Sequence, residues 1–192
     1  MVMITNTGRF SNNNEEHVLL DTSMGNLSQG CTDMLDSLKD RYCRLLLITG
    51  DQTPEKDTLI QSFGNSLPHL QLGKILVGII SNLSSAQRSK VVLDFFTNLQ
   101  NQSETLLLLD IEILFDRSLG IDPLMLLKNT ARNRSMIVNW PGKIDFNANL
   151  LTYATPGHSE YFKADLTDDI LFWDESGRNS LNCKITGGYH EV

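Results

Sequence analysis

Short apolar runs that alternate with amphipathic helical stretches constrain the fold of this chain most strongly. Leu45–Ile48, Leu106–Leu109 and Met136–Val138 are continuous apolar runs, and each ends at a small or polar residue. Such runs are typical of strands buried on both faces, as in parallel sheets. Between them, apolar residues recur on one helical face, for example at Leu59 and Phe63. The pattern predicts an α/β domain with three layers and a mostly parallel central sheet.

The remaining segments extend this interpretation. Leu150–Tyr153 and Ile170–Trp173 are the fourth and fifth strand candidates, and residues 70–83 fit either a strand or a helix. Residues 1–28 are rich in Asn, Ser, Thr and Gly, so we predict a disordered N-terminal segment. Residues 29–174 are predicted to form the domain, followed by a flexible tail over residues 175–192.

Composition argues against several function classes. The formal net charge is −7 and no run of Lys or Arg occurs, which argues against direct DNA binding. The 3 cysteines are scattered without a CxxC pair, which disfavours a zinc site or a disulfide scaffold. No apolar stretch approaches the roughly 18 residues of a membrane span. The N-terminus lacks the features of a signal peptide, so we predict a cytoplasmic protein with no membrane partner.

The segment after the first predicted strand resembles a phosphate-binding loop. Such loops read G-x-x-x-x-G-K-[ST] between a strand and a helix. Gly50 and Lys56 have the required spacing, but Glu55 replaces the second glycine and Asp57 stands at the magnesium-binding hydroxyl position. We predict Gly50, Lys56, Asp57 and Thr58 as cofactor-binding residues. Asp57 is a candidate magnesium ligand, and Thr58 is a candidate replacement for the hydroxyl.

The acidic side chains of this loop oppose the binding of a polyanion. Asp51, Glu55 and Asp57 outnumber Lys56 by three to one. One repulsive pair at ~4 Å costs about 4 kcal/mol at an effective dielectric of ~20, before screening. The loop therefore predicts that nucleotide binding is weak or lost. An ordinary strand-to-helix turn remains the alternative interpretation of the same residues.

Polar residues also end the next two predicted strands. Asp110 follows the apolar run Leu106–Leu109. In nucleotide-hydrolysing proteins, an acid at the end of such a strand holds Mg²⁺ through water. Glu112 is the candidate catalytic residue, because a carboxylate there could polarise an attacking water. Asn139 follows the Met136 strand at a position suited to contact a γ-phosphate. We expect Asp110 to lie on a strand adjacent to the one that leads into Gly50, although acids commonly end buried strands without such a role.

Several short motifs together resemble a known family. They are Ile111-Glu112-Ile113-Leu114-Phe115-Asp116, Asp122-Pro123-Leu124, Arg132-Asn133-Arg134, Leu151-Thr152-Tyr153-Ala154, Pro156-Gly157-His158 and Glu160-Tyr161. With the loop at Gly50, this set resembles the BrxF family of small P-loop proteins from type 3 BREX phage-defence systems. The resemblance covers roughly residues 30–173.

The resemblance implies a bacterial or archaeal cytoplasmic protein with a P-loop NTPase-like fold. It implies an accessory role beside larger defence proteins, including a methyltransferase, with ATP as the expected ligand. Glu55 and Asp57 depart from the Gly and Ser/Thr of the family pattern. This departure argues against ATP hydrolysis, whereas the fold and the partner role implied by the resemblance do not depend on these two residues.

Two other functions are compatible with the sequence. One is an active ATPase in which Lys56, Asp57, Thr58, Asp110 and Glu112 form an unusual Mg-ATP site. The other is a regulatory binding module unrelated to defence. Loss of turnover on Lys56→Ala identifies the first, and neighbouring genes without a defence methyltransferase, a PglZ-like phosphatase and a helicase favour the second.

Overall fold

A computed structural model of the protein describes residues 31–99 and 104–176. The predicted disordered segment over residues 1–28 lies outside these residues. So does the predicted tail, apart from Glu175 and Ser176. Cys31 and Cys43 are buried free thiols, and burial raises the pKa of both. None of the helices in the described ranges is long and apolar enough to cross a membrane.

The core of the domain is a five-stranded sheet in which every neighbouring pair is parallel. Its strands, numbered in chain order with those of a second sheet, are β1 (Leu45–Thr49), β2 (His69–Gln71), β3 (Leu106–Leu109), β4 (Met136–Asn139) and β8 (Leu171–Asp174). They lie in the order β2-β3-β4-β1-β8. The structure confirms the predicted α/β class and the parallel central sheet, and β8 confirms the strand predicted at Ile170–Trp173.

Helices cover both faces of this sheet, which gives three layers. They are α1 (residues 31–39 of the described part), α2 (Pro54–Ser66), α3 (Leu72–Ile80), α4 (Ser85–Leu99) and α5 (Pro123–Ala131). The helices α1 and α2 pack with Leu46 and Ile48 on one face, whereas α3, α4 and α5 pack with Leu45 and Leu47 on the other. Because side chains alternate along a strand, a continuous apolar run supplies both cores. The ambiguous segment over residues 70–83 contains the end of β2 and then α3.

A second, three-stranded antiparallel sheet follows β4. Its strands are β5 (Ile144–Asp145), β6 (Leu150–Tyr153) and β7 (Phe162–Asp165), in the order β5-β6-β7. The strand predicted at Leu150–Tyr153 therefore exists but does not belong to the central sheet. Within β6 only Leu151 is fully buried, which is typical of a strand with one covered face.

Candidate functional site

The residues predicted for the site follow strands that end at the same edge of the central sheet. Gly50 follows β1, Asn139 is the last residue of β4, and Asp110 follows β3. The expected adjacency of β1 and β3 is wrong, because β4 pairs with both. The chain passes from β1 through α2 to β2, which is the outermost strand of the sheet, and it then returns through β3 to β4. With strands ~4.8 Å apart, β1 and β3 end about 10 Å from each other.

The predicted phosphate loop is a four-residue turn that leads directly into α2. Because α2 begins at Pro54, Lys56 lies in the first turn of the helix. The Thr53 hydroxyl accepts a hydrogen bond from the Lys56 N–H at 3.2 Å, and the Thr53 carbonyl accepts from the Asp57 N–H at 3.0 Å. Pro54 has no N–H to offer. The N–H groups of Lys56 and Asp57 are therefore engaged within this helix start, as in an ordinary capped turn.

The Lys56 ammonium points into the protein. Only 2% of the residue is exposed, and Nζ donates to the carbonyls of Gly50 at 2.9 Å and Trp140 at 3.3 Å. Burial lowers the pKa of Lys56, and the carboxylate of Glu175 is the strongest of the nearby charges that oppose this shift. Lys56 thus joins the β1 turn to the segment after β4.

The two predicted magnesium-binding side chains of the loop have partners within α2 and its turn. The Thr58 hydroxyl donates to the Pro54 carbonyl at 2.7 Å. The Asp57 carboxylate accepts a hydrogen bond from the Gln52 side chain. These contacts direct both groups back towards their own helix start.

The remaining predicted residues lie along the ends of β3 and β4. Asp110 is exposed and has a left-handed backbone with φ of 55°, and its carbonyl accepts from the Gly73 N–H at 2.8 Å. Glu112 is exposed in the following 3₁₀ helix, Ile111–Phe115. The Asn139 side-chain oxygen Oδ1 is buried and has no hydrogen-bond partner among the described residues. The described ranges contain no group of three or more His, Cys, Asp or Glu that could hold a metal ion.

Four residues that were not predicted for the site contribute to it. The Gly142 carbonyl accepts from the Gly50 N–H at 2.8 Å, and Trp140 supplies a carbonyl to Lys56. Lys143 forms an exposed ion pair with Asp51 at 2.6 Å. Glu175 follows β8, beside Gly50. The run Trp140-Pro141-Gly142 after a predicted strand was a visible signal, but nothing near Glu175 in the sequence indicates that β8 lies beside β1.

The residues present do not fit a bound Mg-triphosphate in this arrangement. The Lys56 ammonium already has two carbonyl partners, and Lys143 is paired with Asp51. The hydroxyl of Thr58 is turned to its own helix. No reaction step through ATP or Mg²⁺ follows from this geometry.

Comparisons of the chain with protein-family models, with curated proteins and with solved structures found no match.

The burial of Lys56 predicts a specific pH dependence of stability. Because its folded-state pKa lies below the ordinary value of 10.5, the unfolded chain binds more protons between the two values. We expect the free energy of unfolding to rise with pH across this interval, and Lys56→Met to remove that rise. Urea titrations from neutral pH up to pH 10.5 measure the effect.

Lys143→Met is the matched control. The hydrogen bond that Lys143 donates to Asp51 raises the pKa of Lys143, so its contribution to stability is lost as pH rises above 10.5. Up to pH 10.5, Lys143→Met is therefore expected to keep the wild-type pH dependence. An unaltered slope in Lys56→Met would contradict the assignment of a buried ammonium.

Proposed function

We propose that this chain is an accessory component of a BREX-type anti-phage defence system. It has a P-loop NTPase-like domain, acts through partner proteins and binds Mg-ATP weakly or not at all. The observation that carries the second part is the inward-facing Lys56 ammonium, held by the carbonyls of Gly50 and Trp140. The sequence motifs shared with the BrxF family support the first part.

The position of the candidate site supports the proposal that this domain has a nucleotide-binding fold. In open parallel sheets, ligands bind outside the carboxyl ends of the strands, at the point where the strand order reverses. The chain moves from β1 towards β2 and returns to β4, and β8 then lies on the other side of β1. The crevice between β1 and β4 is therefore the expected ligand position, and Gly50, Lys56 and Asn139 lie there.

The charge at this edge opposes a nucleotide. Asp51, Asp57, Glu112 and Glu175 are all close enough to influence the pKa of Lys56. A triphosphate entering this position would meet several carboxylates and an ammonium that already donates to two carbonyls. Each ~1.4 kcal/mol of repulsion weakens binding about tenfold, so a role independent of ATP turnover agrees best with the geometry.

The proposed activity is assembly with larger defence proteins, among which the resemblance names a methyltransferase. A net charge of −7 does not support direct binding to DNA. In this proposal, contact with DNA is made by the partners, and this chain contributes protein surfaces to the complex.

Calorimetric titration with Mg-ATP and a turnover assay test the proposal. We expect a dissociation constant weaker than about 1 mM, equivalent to about −4.1 kcal/mol, and no ATP turnover above background. Glu112→Gln is the informative variant, because this exposed side chain is the candidate for polarising water. Wild type and Glu112→Gln are expected to be indistinguishable in the turnover assay.

A partner experiment completes the test. The tagged chain, expressed with a methyltransferase of a type 3 BREX system, is expected to purify as a stoichiometric complex, with or without Mg-ATP. ATP turnover by wild type that falls on Glu112→Gln would replace the proposal with the active-ATPase alternative. A chain that neither turns over ATP nor binds the methyltransferase would favour a regulatory module unrelated to defence.

A further inference from the structure

Glu175 is the first residue after β8, and it lies beside the candidate phosphate loop. The register of β1 and β8 pairs Thr49 with Asp174, so Gly50 and Glu175 are the next residues of two neighbouring strands. The Asp174 carboxylate accepts from the Ser176 N–H at 2.9 Å, which fixes the turn around Glu175. The two turns therefore meet at the same edge of the sheet.

The Glu175 side chain fills the space that a side chain on residue 50 would occupy. A β-carbon added to Gly50 would overlap Glu175 Oε2 and lie 3.0 Å from Oε1. Gly50 also has a φ of 98°, which favours glycine. In a phosphate loop, the glycine-rich turn lets anionic oxygens come close to the backbone. Here a carboxylate of the chain itself lies against Gly50.

One oxygen of this carboxylate is buried, although the residue as a whole is partly exposed. Its Oε2 atom is buried and has no hydrogen-bond partner among the described residues. Within the described ranges it forms no ion pair with Lys56, whose Nζ donates instead to the two carbonyls. A buried carboxylate oxygen without a partner costs free energy. Movement of Glu175 into solvent would relieve that cost.

We propose that Glu175 is an autoinhibitory residue whose carboxylate occupies the position of a phosphate oxyanion beside Gly50 and Lys56. It excludes phosphate by volume and by charge, and it must leave before a phosphate group can bind there. The inference rests on the proposed function, because it concerns the regulation of the same candidate site. It identifies the ligand class as a phosphate-bearing anion and Glu175 as its internal competitor.

Titration of Glu175→Ala and Glu175→Gln with Mg-ATP and with inorganic pyrophosphate tests the inference. We expect Glu175→Ala to bind both probes at least about tenfold more tightly than wild type, since both volume and charge are removed. Glu175→Gln keeps most of the volume and is expected to show a smaller gain. Asp94→Asn, on the exposed side of α4, gives the same change in net charge and is expected to bind like wild type.

The controls separate a specific effect from a general one. Lys56→Met introduced into Glu175→Ala is expected to abolish the gain, because the ammonium is the only cation predicted for the loop. Thermal melts establish which variants are folded. If Glu175→Ala does not fold, the affinity of Glu175→Gln for the two probes tests the inference. Folded Glu175 variants that bind neither probe better than wild type would overturn the inference. The proposed function is judged separately, on wild-type turnover and on the methyltransferase complex.

Discussion

Trp140→Ala is expected to lower the free energy of unfolding by about 4 kcal/mol, the usual range for a buried tryptophan being ~3–5 kcal/mol. The side chain is fully buried, and its ring meets those of Phe115 and Phe162 at centroid distances of 5.1 and 5.7 Å. Its indole N–H donates to the Thr152 carbonyl at 2.9 Å. Truncation removes the aromatic contacts between the two sheets together with this hydrogen bond. Chemical denaturation measured by fluorescence and circular dichroism gives the loss.

Two variants bracket this result. Trp140→Phe keeps an aromatic ring but removes the N–H donor, so a loss of about 1–2 kcal/mol is expected. Tyr42→Ala removes an aromatic residue that is 76% exposed, and a change within about 0.5 kcal/mol is expected. If Trp140→Ala lost no more than Tyr42→Ala, the packing described for the junction of the sheets would be wrong.

Gly142→Ala is expected to destabilise the protein by about 3 kcal/mol through overpacking. A β-carbon at this position would overlap the backbone carbonyl of Thr152 in β6, and it would also lie 2.9 Å from the Trp140 indole nitrogen. Backbone atoms of a paired strand cannot move aside as the end of a flexible side chain can. Thermal and urea unfolding provide the measurement.

Gly78→Ala is the matched glycine control. Gly78 lies in α3, and a β-carbon there meets nothing within 4 Å. Because alanine is the better helix former, this change is expected to stabilise the protein by roughly 0.5–1 kcal/mol. Opposite signs for the two substitutions are the expected result, whereas equal effects would show that the Thr152 contact does not restrict residue 142.

The sequence allowed prediction of five of the eight strands in the described residues but not of the strand order; β5 and β7 were not predicted, and the segment that contains the end of β2 fitted either a strand or a helix. The runs at Leu45, Leu106 and Met136 are continuous and apolar because both faces of these strands are buried, and this local pattern located them within a residue or two. The strand at Leu150 carried a similar apolar signal, yet it pairs in the second sheet. Strand order depends on which crossovers pack, so the placement of β4 between β1 and β3 has no local signature.

The candidate site was predictable in position and not in detail. Parallel strands bring Gly50, Asp110 and Asn139 to one edge, which follows from the fold class alone. The inward direction of Lys56 depends on the Trp140 carbonyl, 84 residues away in the chain. The contact of Glu175 with Gly50 depends on the pairing of β8 with β1. Both are long-range contacts, and periodicity and spacing carry no information about them.

The hydrogen bonds from Gly50 to Gly142 and from Lys56 to Trp140 connect the turn before α2 to the chain that enters the second sheet. The second sheet and this turn are therefore not mechanically independent. A displacement of β5 and β6 would also move the Trp140 carbonyl that accepts from Lys56.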